Sequence, residues 1–68
     1  MKLKDIQNLF NKETSIDIID KNGKRLAYLY DMSEIIFCEE YLEEEIKFIC
    51  ASCEDVITIC LKNYEKVD

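Results

Sequence analysis

Apolar positions recur along this chain with three different rhythms, and each predicts a different element. Leu3, Ile6, Leu9 and Phe10 are spaced by threes and fours with polar residues between them, so the first ten residues read as a short amphipathic helix. Ser15 to Asp20 is β-branched and nearly alternating, and Arg25 to Tyr30 repeats that habit, which predicts two strands. Between them, Asp20-Lys21-Asn22-Gly23-Lys24 is hairpin chemistry, because Asn-Gly supplies the positive φ that a tight reversal needs. Residues 31–45 form a connector whose first part is ambiguous: Asp31-Met32-Ser33-Glu34 resembles a cap, but Ile35-Ile36-Phe37-Cys38 is strand-like. Glu39 to Glu45 reads as a helix, with Cys38, Leu42 and Ile46 on one side at four-residue intervals. Two nearly continuous apolar runs, 46–51 and 56–62, predict a second hairpin turning at 52–55. The tail 63–68 is polar and is expected to fray.

The order is thus α-β-β-α-β-β: a small α+β domain with a four-stranded, mainly antiparallel sheet and two short helices. Two registers compete in the first hairpin. A two-residue Asn22-Gly23 turn places Ile16, Ile18, Ala27 and Leu29 on one face. A type I turn with Gly23 as a bulge pairs Asp20 with Lys24 and groups Ile16, Ile18, Leu26, Tyr28 and Tyr30. The second is favoured, since it gathers the larger apolar set.

Sixty-eight residues allow one domain, residues 1–68, and 49% apolar residues with one Gly and no Pro exclude a disordered chain. A domain this small has only modest stability unless it dimerises. No apolar run reaches the ~18 residues of a membrane helix, and the polar opening Met1 to Asp5 lacks the apolar core of a signal peptide, so a reducing cytoplasm is the expected compartment.

Charge restricts the function classes further. Nine basic against fifteen acidic residues give a net charge of −6, distributed as +2 over residues 1–30 and −8 over 31–68. Such a surface repels phosphate backbones and suits a basic protein instead, including a groove that ordinarily holds nucleic acid. Seven acidic and no basic residues fall between Asp31 and Glu45. The candidate partner-binding residues are therefore Glu34, Glu39, Glu40, Glu43, Glu44 and Glu45, with Tyr28, Tyr30 and Tyr41 as aromatic anchors.

Enzymatic chemistry finds little footing. The chain has no His to activate a Ser or Cys, its one Gly belongs to a turn, and the domain has little volume to enclose paired carboxylates in unlike environments. No catalytic residue and no cofactor is assigned. The four cysteines include one CxxC, Cys50 to Cys53, with Cys38 before it and Cys60 after it. A structural zinc site usually pairs two such knuckles, so the metal reading is an alternative to cysteines acting as small apolar residues.

The segments Ile16 to Lys24, Glu40 to Lys47 and Asp55 to Ile59 together resemble small acidic accessory proteins of Firmicutes phages and mobile elements. That resemblance implies a non-enzymatic factor, with inhibitors of host CRISPR effectors (anti-CRISPR proteins) among the possibilities; it transfers no site residue. The expectation is a protein-binding inhibitor or adaptor whose acidic face blocks a basic nucleic-acid-binding surface of a host protein. The alternatives are a homo-oligomeric interaction module, with the spare apolar face closing a homodimer, and a small Cys-ligated zinc domain.

Overall fold

The computed structural model describes residues 1–6, 9 and 13–67, apart from the side chain of Phe37. Four strands, β1 (Ser15–Ile19), β2 (Arg25–Leu29), β3 (Ile46–Cys53) and β4 (Val56–Leu61), form one sheet in the order β2-β1-β4-β3. The two hairpins are antiparallel, as expected, but they join through a parallel pairing of β1 with β4 that puts the first and last strands at the centre. The sheet is mixed.

The helical expectation is corrected. The described helices are two 3₁₀ helices, Leu3–Ile6 and Met32–Phe37, so the domain is mostly β. The Asp31 carboxylate caps the second by accepting from the Ser33 backbone N–H at 2.8 Å, while the paired β-branched residues Ile35 and Ile36 oppose a longer α-helix. Residues 39–43, expected as a helix, are successive turns held by Tyr41 N–H to Cys38 C=O and Glu44 N–H to Tyr41 C=O, both 2.9 Å. Like charges four apart, Glu39 with Glu43 and Glu40 with Glu44, work against the α-helix that the apolar spacing offered. Of the helix expected over the first ten residues, Leu3–Ile6 form one 3₁₀ turn, and Gln7, Asn8 and Phe10 lie outside the described residues.

Both hairpin registers are present, in succession. Gly23 has φ +86°, Gly23 N–H bonds Asp20 C=O at 3.0 Å, and Asp20 N–H bonds Lys24 C=O at 2.8 Å, which is the bulged type I turn. One pair further, Ile19 lies opposite Arg25; then the register shifts, and Ile18 faces Ala27 while Ile16 faces Leu29. Leu26 is the residue taken up by the shift. The grouping of Tyr28 and Tyr30 with Ile16 and Ile18 is thereby overturned, and the tyrosines turn to the face of Asp17.

The core lies on one side of the sheet. Ile16, Ile18, Leu29, Ile59 and Leu61 meet Leu3, Ile6, Met32 and Ile35 from the 3₁₀ helices, and all are buried. Burying such side chains is worth about 1.5–3 kcal/mol each before entropy is counted. The opposite face carries Asp17, Tyr28, Thr58, Cys60 and Phe48, linked by the strand register, with Ser52 and Thr58 hydroxyls bonded to each other. Among the described residues no helix is long and apolar enough to cross a membrane.

The tail is held rather than frayed. Asp20 is fully buried, and its carboxylate accepts three backbone N–H groups at 2.8 Å, from Asn22, Lys24 and Lys66. Lys21 N–H bonds Tyr64 C=O at 3.0 Å, and Lys21 Nζ pairs with Glu65 at 3.5 Å. A buried carboxylate needs such donors, and the tail supplies one of them.

Candidate protein-binding surface

The acidic segment takes its shape from the N-terminus. Leu3 N–H bonds Glu44 C=O and Lys4 N–H bonds Leu42 C=O, each at 3.0 Å, so the first residues run alongside 42–46. That strap brings cations to carboxylates. Glu43 accepts from Lys4 Nζ at 2.9 Å and from Lys2 Nζ at 3.1 Å, and the terminal ammonium lies 3.3 Å from Glu45. The bond from Lys4, then that from Lys2, holds the Glu43 carboxyl below its ordinary value, while the bond to Glu43 raises Lys2. All these groups are exposed enough that solvent screens the pairing.

Among the described residues, four of the six predicted glutamates have no counter-ion, and three of these accept no hydrogen bond either. Among the described residues, Glu39, Glu40 and Glu44 have no ion-pair or hydrogen-bonding side-chain partner, and Glu39 and Glu40 are exposed. They form an acidic ledge. With Ala27, Cys38 and Tyr41, Glu39 and Glu40 line a shallow pocket of about 320 Å³. Burial, and then the nearby Glu34 charge, push the Cys38 thiol up, so this sulfur stays protonated at neutral pH and is a poor nucleophile. Burial likewise raises the Tyr41 hydroxyl, whose ring meets Tyr64 edge-on at 5.0 Å. Glu34 is turned elsewhere, accepting from the Tyr30 backbone N–H at 3.3 Å.

The structure does not bring the three tyrosines together. Tyr41 packs against the core beside the ledge, whereas Tyr28 and Tyr30 lie on the other face of the sheet, rings 5.2 Å apart and T-shaped. Arg25 stands 5.2 Å above Tyr28 and binds Asp17 through two nitrogens, at 2.8 and 3.2 Å. Tyr30 is 75% exposed and available as an aromatic contact.

The cysteines are dispersed: Cys38 and Cys60 are buried, Cys50 and Cys53 exposed. Among the described residues no group of three or more His, Cys, Asp or Glu side chains is placed to hold a metal ion. Sequence reasoning passed over Asp20, although an Asp opening an Asp-Lys-Asn-Gly turn is a known Asx-turn signal. It also passed over Lys2 and Lys4, whose partner Glu43 is 41 and 39 residues away. Comparison of the chain with known protein families, curated proteins and solved structures finds no match.

Proposed function

We propose that this chain is a non-enzymatic protein-binding inhibitor or adaptor that presents Glu39, Glu40 and Glu44 to a basic, nucleic-acid-binding surface of another protein, such as a host CRISPR effector. One observation carries the reading. The N-terminal cations neutralise Glu43 and Glu45 and leave the three neighbouring carboxylates without counter-ions among the described residues. A turn segment braced in this way holds its charges in a set arrangement, which lowers the entropy cost of meeting a basic groove and speeds encounter through complementary potentials. Tyr41 offers an amphipathic ring at the same place, beside Glu39 and Glu40.

The test is binding of the full chain to a purified CRISPR effector, free of guide RNA, across a range of salt concentrations. Affinity should fall as salt rises, nucleic acid should compete, and Glu39→Lys, Glu40→Lys and Glu44→Lys together should weaken binding at least tenfold, about 1.4 kcal/mol. Binding that the triple variant and salt leave unchanged would sink the proposal, as would tight association of the chain with bare DNA or RNA.

A further inference from the structure

β3 is an edge of the sheet, and its two ends are treated differently. At its start the N-terminal segment lies against it: Lys2 bridges Glu45, and Ile46 N–H bonds Met1 C=O at 2.8 Å. From Lys47 to Cys53, among the described residues, the outer side has no backbone partner. Unpaired edges invite another strand, and proteins usually guard them with charge, Pro, bulges or very short strands. Here the edge strand is eight residues long, has no Pro and carries one charged residue, Lys47.

We propose that two copies of this chain associate through the outer edges of β3, paired antiparallel about Cys50 so that the sheet continues across a two-fold axis. The choice of a second copy rests on charge. A chain of net charge −6 ought to repel itself, yet this strand contains no acidic residue. Antiparallel pairing centred on Cys50 also sets the Lys47 end of each strand beside the Cys53-Glu54 end of the other, opposite charges at both ends. The middle is small and exposed, with Cys50, Ala51 and Ser52 permitting close approach, and the 44%-exposed Phe48 comes opposite the partner copy's Ser52. Register shifts take up Lys47 and Ser52, so the regular part of the proposed pairing is its centre, Cys50 opposite Cys50 and Ile49 opposite Ala51.

This association uses none of the ledge carboxylates, so it stands or falls separately from the proposed function. Sedimentation equilibrium of the reduced full chain at micromolar concentration should give twice the 8.1 kDa monomer mass. Cys50→Lys, which sets two ammonium groups face to face at an exposed position, should weaken association at least tenfold with an unchanged circular dichroism spectrum. Lys47→Glu, milder for the fold, should weaken it too by placing acid beside Glu54. In a Cys53→Ser chain, a short bismaleimide should link two copies through Cys50, since Cys38 and Cys60 are buried. A wild-type chain that stays monomeric, or a dimer indifferent to both Cys50→Lys and Lys47→Glu, overturns the proposal.

Discussion

Asp20 organises one end of the molecule through a single carboxylate. Three backbone donors converge on it, and its folded pKa is held below the ordinary 3.8 chiefly by the Lys66 N–H, with burial opposing and the Lys24 and Asn22 N–H groups assisting. Between the depressed folded value and the ordinary one, the unfolded chain binds more protons than the folded chain. The stability contributed by Asp20 is therefore fully present above about pH 4 and is lost as pH falls through the folded value. Asp20→Asn should lower the thermal midpoint at neutral pH, because an amide cannot accept all three bonds, and should flatten the acid end of the stability curve. Thermal melts of both chains at neutral pH and below pH 4 check both effects. The residue was legible in the sequence only as a turn-former. Its third partner lies 46 residues away, beyond any local pattern.

At the scale of elements, the first hairpin was readable because its chemistry is local. Asn22-Gly23 announced the reversal, and the positive φ of Gly23 bears out the bulged turn. Nothing lies within 4 Å of the position where a Cβ would stand, so Gly23→Ala should cost about 1 kcal/mol from backbone strain alone, measurable by urea melts. The shift at Leu26 was not readable. It depends on which strand face meets the 3₁₀ helices, a tertiary fact that returned Ala27 and Leu29 to the side of Ile16 and Ile18. The connector departs from the expected helix for a related reason: four-residue apolar spacing at Cys38 and Leu42 signals which side faces inward, but turns satisfy that demand as well as a helix does. The candidate site was legible in its charges and not in their neutralisation, since the N-terminal strap is joined to residues 42–46 only by folding.

For the whole molecule, the tail is structural despite its polar composition. Tyr64, Glu65 and Lys66 tie the C-terminus to the β1–β2 turn by backbone and side-chain bonds. Truncation after Asn63 should lower the thermal midpoint and accelerate hydrogen exchange at the Asn22 and Lys24 amides, whose acceptor loses its third donor and its cover. An unchanged exchange profile at those two amides would show that the hairpin holds Asp20 without the tail. A domain of this size buries only about 60% of its unfolded surface, so the loss of even one such tie is a sizeable share of its net stability.

The parallel seam between β1 and β4 has a consequence for biosynthesis. The middle of the sheet is made from its earliest and latest strands, so a nascent polypeptide emerging from the ribosome holds one half of that seam without the other. The sheet cannot close until β4 has been made, and a product terminated before Val56 keeps its first hairpin but lacks the strand that would bury it.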